Sequence, residues 1–268
     1  QMDMRRYYAN PGEMPLDCIK PDGGFTAIFR TIACIGDSLS SGEFESLTED
    51  GQRGYHDLFE YSWGQYIARA AGCKVYNFSR GGMTASEYCD SFAAAMDFWN
   101  PAYASQAYIV ALGVNDLMGQ NQPLGTTADI CAQDCEKNAK TFAGYYGRIL
   151  QKYRAIEEKS RLFLMTMPRD AGDTPEQDAK KAAHAALLHE FARIFPFTYV
   201  IDLYRDAPVY DELFHKNFFL SGHLNPAGYL FTAEIVMTYI DYIIRNHPDD
   251  FTQVGFIGTG YHNCSAKW

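Results

Sequence analysis

Residues 31–40 read Thr31-Ile32-Ala33-Cys34-Ile35-Gly36-Asp37-Ser38-Leu39-Ser40. The run from Thr31 to Ile35 shows no alternation of apolar and polar residues, the pattern expected of a strand buried on both faces. Gly36-Asp37-Ser38 then ends it with turn chemistry and a helix N-cap residue. Working outward, similar runs occur at Lys74–Ser79, Ala107–Gly113, Arg161–Pro168 and Thr198–Leu203. Between them lie segments of helical period at about Tyr61–Ala71, Thr84–Phe98, Asp129–Lys159 and Pro175–Phe195. A last helix is expected from Pro226 to about Asn246, with Asn225 as N-cap and His247-Pro248 as its stop. This alternation predicts an α/β fold, a three-layer α/β/α sandwich on a five-stranded parallel sheet of flavodoxin-like order, because right-handed crossovers leave few other arrangements.

At 268 residues and 47% hydrophobic content the chain can bury the core of one large domain, and a single domain over 1–268 is expected. Residues 1–30 carry turn signals at Asn10-Pro11-Gly12 and Pro21-Asp22-Gly23-Gly24 and predict an irregular or hairpin leader on the sheet edge. Residues 248–268 form a C-terminal tail, and residues 42–60 a long acidic and aromatic insertion directly after the first strand. A loop of that length in a compact domain is usually functional or disordered.

The net charge of −10 and pI near 5.1 argue against binding nucleic acid or an anionic membrane, and favour a neutral small-molecule substrate. No transmembrane span is expected. The first residues lack the apolar core of a secretory signal, and seven scattered cysteines do not make a disulfide framework. The reading is cytoplasmic, or secreted if a signal has been removed. Cys131 and Cys135 fall on the predicted helix Asp129–Lys159 as small apolar residues rather than as half a metal site.

In an open parallel sheet the ligand crevice lies beyond the carboxyl ends of the strands. Four unusual segments would meet there: Gly36-Asp37-Ser38-Leu39-Ser40, Asn77-Phe78-Ser79-Arg80-Gly81-Gly82, Gly113-Val114-Asn115-Asp116 and Ser221-Gly222-His223-Leu224-Asn225-Pro226. Acyl transfer needs a hydroxyl, a base and preorganised donors for the tetrahedral oxyanion. Ser38, His223, the backbone at Gly82 and the amide of Asn115 supply one of each.

Taken singly, each has a plainer use. Ser38 and Asn115 are helix-cap types, Gly81-Gly82 is turn chemistry, and His223 is a histidine ahead of Pro226. Their coincidence at successive strand ends favours catalysis. Among the other histidines, His56 and His215 are the rivals for the base; His184 and His189 read as solvated helix residues, and His247 as part of a helix end. Trp63 reads as core, and Arg80 as a solvated arginine.

These blocks resemble the GDSL, or SGNH, hydrolases. Gly36-Asp37-Ser38-Leu39 is similar to the GDSL signature, Asn77 with Gly82-Met83-Thr84 to the glycine block, and Gly113-Val114-Asn115-Asp116 to the GxND block, in family order from about residue 31 to 247. The resemblance implies a serine hydrolase of carboxylic esters, often acetylated carbohydrates or short acyl esters, needing no metal or organic cofactor. It also implies Ser38 as nucleophile, His223 as base, Gly82 and Asn115 in the oxyanion hole, and Asp37 and Asp116 in support, Asp37 holding the turn.

The last block departs from the family. An aspartate normally stands three residues before the histidine, and here that position is Leu220. The group that orients His223 is therefore left open between a backbone carbonyl near 218–221, an acid of the insertion (Glu43, Glu45, Glu49, Asp50, Asp57 or Glu60, slightly favoured) and Asp206, Asp211 or Glu212. Deacetylation of a polar ester is the preferred activity. An acyltransferase with the same nucleophile and a non-catalytic binder on the same fold are the alternatives.

Overall fold

The computed structural model describes residues 1–268. Strands are numbered β1 (Thr31–Gly36), β2 (Glu43–Leu47), β3 (Arg53–Asp57), β4 (Lys74–Ser79), β5 (Ala107–Ala111), β6 (Arg161–Met165), β7 (Thr198–Ile201), β8 (Phe219–Leu220) and β9 (His223–Leu224). Five of them form one parallel sheet in the order β4-β1-β5-β6-β7, the expected flavodoxin-like order. β2 with β3, and β8 with β9, are separate antiparallel hairpins.

The apolar run of β1 divides between the two faces. Ile32 and Cys34 enter one core cluster, with Trp63, Ile67 and the apolar side of the helix Pro226–Asn246. Ala33 and Ile35 enter the other, with Tyr88, Phe92 and the helices Phe142–Ile156 and Pro175–Ile194. A strand covered on both faces cannot alternate in polarity, which is why its sequence does not. Each long helix starts at a side-chain cap: Ser62 accepts from Gln65 N, Thr141 from Gly144 N, Thr174 from Gln177 N and Asn225 from Gly228 N. Pro226–Asn246 is long and apolar enough to cross a membrane by length and composition, but here it is largely buried as a core helix.

Several expectations are corrected. The helix expected at Asp129–Lys159 begins only at Phe142; before it the chain makes short 3-10 turns at Thr127–Asp129 and Cys135–Lys137. Cys131 and Cys135 are therefore not on a shared helix, and all seven cysteines are free. The caps at Thr126, Asp134 and Thr141 break up the helical period, since short oxygen-bearing side chains compete for backbone N–H groups. The segment from Ala85 to Ala95 is helical, with a π turn at Tyr88–Phe92.

The leader is irregular as expected but lies on the last helix instead of the sheet edge. Lys20 N donates to Thr238 Oγ1 at 2.8 Å and Phe25 N to Asp241 Oδ1 at 2.7 Å, while Arg245 joins Glu13 to Asp241. The tail packs below the amino ends of the strands. Residues at the amino ends of β1, β5 and β6 reach it: Arg30, just ahead of β1, bonds Gly255 O, Gln106, just ahead of β5, bonds Val254 O, and Arg161, the first residue of β6, bonds Asp250 O. It closes the end of the sheet opposite the rim that carries Ser38.

Candidate active site

Ser38 opens the short helix Ser38–Ser41 immediately past β1 and is half-buried. Asp37 caps that turn, with Oδ1 accepting from Leu39 N at 3.0 Å. Burial pushes the Asp37 carboxyl up to about 7 against this bond. Gly82, past β4, is exposed with φ +74, a left-handed conformation that disfavours a side chain at this turn. Past β5, Gly113 has φ +144, and a Cβ there would lie 2.6 Å from His184 Nε2. Asn115 follows, half-buried, with Nδ2 donating to Met83 O at 3.1 Å, so one amide hydrogen fixes the side chain and the second is free. Asp116 Oδ1 accepts from Ala85 N at 2.7 Å and ties this turn to the helix after Gly82; burial raises its carboxyl to about 6.

His184 is not solvated, whereas His189 is partly exposed. His184 is fully buried, bonded through Nε2 to Leu112 O at 3.0 Å, and burial lowers it to about 4, so it is a neutral core residue. His189 Nε2 bonds Asp202 Oδ2 at 2.7 Å. His215 bonds Asp170 and His56 bonds Ser46 Oγ, so neither rival histidine is bonded to Ser38. Trp63 is fully buried. Arg80 pairs with Glu87 and lies over the Phe92 ring.

His223 sits in the tight β8–β9 hairpin, turned by Ser221 at φ +57 and Gly222. The insertion folds as the β2–β3 hairpin and docks over it. Phe44 packs on Tyr61 and Tyr229, Tyr229 OH donates to Glu43 O at 2.5 Å, and Leu58 N donates to Gly42 O at 3.0 Å. Alternate strand residues share a face, so Glu43 and Glu45 point the same way, as do their cross-strand partners Asp57 and Tyr55. That face meets His223.

Nδ1 of His223 lies 2.7 Å from Glu45 Oε1, which also accepts from Gly222 N at 3.1 Å, while Arg53 binds Glu45 Oε2 at 2.6 Å. The bond from His223, supported by Arg53, holds Glu45 below the ordinary carboxylate range. On the other side of the ring Nε2 lies 2.9 Å from Glu43 Oε2, and the Tyr55 ring stands edge-on at 6.2 Å. No hydrogen bond joins Ser38 Oγ to His223 in this arrangement; an anionic acceptor competes well against a neutral hydroxyl for an imidazole N–H. Leu220 is exposed, Asp206 pairs with Arg205 and Tyr239, and Asp211 caps the helix Glu212–Phe218.

Sequence reasoning left the acid partner of His223 open among many residues and gave Glu43 no role apart from that list. The available signal was the Glu43-Phe44-Glu45 alternation, which puts two carboxylates on one face if residues 43–47 form a strand. Beside the turn lies a largely apolar cavity of about 190 Å³, walled chiefly by residues such as Leu39, Val114, Met165, Phe219 and Leu224, with Asp170 and Lys181 also on its wall. Its wall includes the immediate neighbours of Ser38, Asn115 and His223.

The fold is a three-layer α/β/α sandwich, and its rim carries Ser38 on a strand-to-helix turn at the carboxyl end of the parallel sheet. The model of the GDSL-like lipase/acylhydrolase family matches residues 34–230, and the chain belongs to that family. Comparison with curated protein sequences gives no match. Among solved structures the chain is similar to a family two carbohydrate esterase from Clostridium thermocellum, at 14% identity and TM-score 0.57, covering 83% of this chain and 65% of that one. It is similar also to a family 3 carbohydrate esterase from the same organism, at 16% identity and TM-score 0.51, covering 81% and 97%. A third, an acetyl xylan esterase, matches at 15% identity and TM-score 0.51, covering 78% and 99%. At these identities the likeness is one of fold.

The free amide hydrogen of Asn115 makes a specific expectation. Asn115→Ala is expected to lower kcat on an acetyl ester by about 10²–10³ with little change in KM, the effect of deleting one oxyanion donor. Steady-state kinetics check this, and a change in KM alone would assign Asn115 to ground-state binding.

Proposed function

We propose that this protein hydrolyses carboxylic esters of small polar alcohols, carbohydrate esters among them, through an acyl-enzyme on Ser38. His223 takes the Ser38 proton through Nε2 as the hydroxyl attacks, and Glu45 holds the ring in the useful tautomer and balances the imidazolium that forms. The backbone at Ser38 and Gly82 and the amide of Asn115 receive the oxyanion. After the alcohol departs, water repeats the attack on the acyl-enzyme. The observation that carries this reading is the bond from Glu45 to His223 Nδ1, which supplies the orienting carboxylate that the last sequence block lacks.

The cavity beside Ser38 is the compartment assigned to the acyl group. An apolar cavity of about 150 Å³ takes a benzene ring, so this slightly larger one suits an acyl group of about six carbons or fewer. Chromogenic esters of increasing acyl length test both points. Turnover is expected from acetyl to about hexanoyl, with kcat/KM falling at longer chains. No hydrolysis at any length, with no labelling of Ser38 by a phosphonate probe, would reject the proposal.

A further inference from the structure

Glu43 is left without a role once Glu45 is assigned to Nδ1. Its carboxyl is largely buried, and one oxygen, Oε2, lies 2.9 Å from His223 Nε2. The other oxygen, Oε1, has no hydrogen-bond donor and lies so close over Gly81 that a Cβ at that position would collide with it. The strand fixes this placement: Tyr229 OH holds the Glu43 carbonyl and Phe44 is anchored between Tyr61 and Tyr229. Asp57, opposite Glu43 in the hairpin, bonds Ser41 and reaches Gly81 N at 3.4 Å, which braces the same corner.

The chemistry says what passes through that corner. When the tetrahedral intermediate collapses, the bond from the carbonyl carbon to the alcohol oxygen breaks and its electron pair stays on that oxygen. The proton taken from Ser38 passes to it from His223 Nε2. The departing oxygen must therefore come within hydrogen-bond reach of Nε2, which places it beside Glu43. In a polyol the neighbouring hydroxyl sits about one hydrogen-bond length from the ester oxygen, the span over which a carboxylate next to Nε2 can accept from it.

Resting on the esterase reading above, we propose that Glu43 is a specificity-determining residue that selects esters whose alcohol carries a hydroxyl next to the ester oxygen. Glu43 accepts a hydrogen bond from that hydroxyl through the carboxylate that contacts Nε2 in the free enzyme. Binding of such an alcohol moves the carboxylate's interaction from the imidazole to the substrate; the proton that joined Nε2 to Glu43 is released to solvent, and the bare Nε2 lone pair is left for Ser38. An alcohol without the hydroxyl leaves Glu43 unpaired beside the reacting atoms, and a polar group left unpaired in this way is what makes a site discriminate.

A matched pair of esters tests this: ethyl acetate and ethylene glycol monoacetate, which differ by the one hydroxyl. The quantity read is the ratio of their kcat/KM values, in which any effect that Glu43 exerts through His223 on both esters alike cancels. The wild-type enzyme is expected to prefer the monoacetate by on the order of tenfold or more. Glu43→Ala should bring the ratio close to unity, and Glu43→Gln, which keeps an acceptor oxygen, should retain part of it. Phosphonate labelling of Ser38 in each variant reports that the site is folded. No preference in the wild type, or an unchanged ratio in Glu43→Ala, would overturn the assignment, including the case where both esters slow equally because Glu43 acts only on His223. Failure of the esterase reading is separate: neither ester would be hydrolysed by the wild type, and Ser38 would remain unlabelled.

Discussion

Ser38→Ala is expected to lower kcat on a chromogenic acetyl ester by roughly 10⁴–10⁶, the scale of losing the nucleophile of a serine hydrolase, with any residual rate coming from the oxyanion donors and binding alone. The substitution removes one half-buried hydroxyl that has no hydrogen bond to His223, so the fold should be little affected. Thermal unfolding within a few degrees of the wild type, together with loss of phosphonate labelling, is the expected combination. A variant that is stable, unlabelled and still active would move the nucleophile elsewhere. Ser40 and Ser41 are the serines to examine next, but both are buried and Ser41 is bonded to Asp57.

Glu45→Gln is expected to have the second-largest effect, a fall in kcat of about 10³–10⁴. The amide keeps the size of the side chain, but its NH₂ group can face Nδ1 and favour the wrong tautomer of His223. It also gives up a charge-assisted bond with Arg53, so a modest loss of stability should accompany the kinetic one. KM should change little, because Glu45 reaches no substrate atom except through the imidazole. The controls are Glu49→Ala and Glu60→Ala, exposed acids of the same insertion, for which changes within a few-fold are expected. Equal, mild effects at all three positions would mean that His223 works without a carboxylate partner.

The fold was legible because both sources of its pattern are local. The run from Thr31 to Ile35 states its own burial, and Asn225-Pro226 states where the last helix begins. The helix expected from Asp129 failed because apolar period outweighed capping in the reading, while in the protein Thr126, Asp134 and Thr141 take the backbone donors and set up turns. His184 was misjudged for a related reason. Its neighbours Lys180 and Lys181 are polar, but the ring faces the glycine of Gly113-Val114-Asn115, and only the three-dimensional approach of that glycine shows it.

At the site, Ser38, Gly82, Asn115 and His223 stand at the ends of elements whose order the sequence gives, so their meeting on one rim follows from topology. The acid beside His223 does not follow from topology. It depends on residues 43–57 pairing as a hairpin and on which face of that hairpin turns inward. A one-residue slip in register would present Phe44 and Ser46 to the histidine in place of Glu43 and Glu45.

The bond from Glu45 to His223 spans 178 residues. As the chain leaves the ribosome, Ser38, Glu45 and the loops of Gly82 and Asn115 are made long before His223. A chain extended only to residue 217 would hold the serine turn and the hairpin but not His223. On the esterase reading, hydrolytic power is absent during most of synthesis and arrives when about the last fifth of the polypeptide docks, because the loop that must close is the longest in the site. If Ser38 acts as proposed, release of activity and completion of the tertiary structure become one event, which keeps that serine inert in the partly made protein.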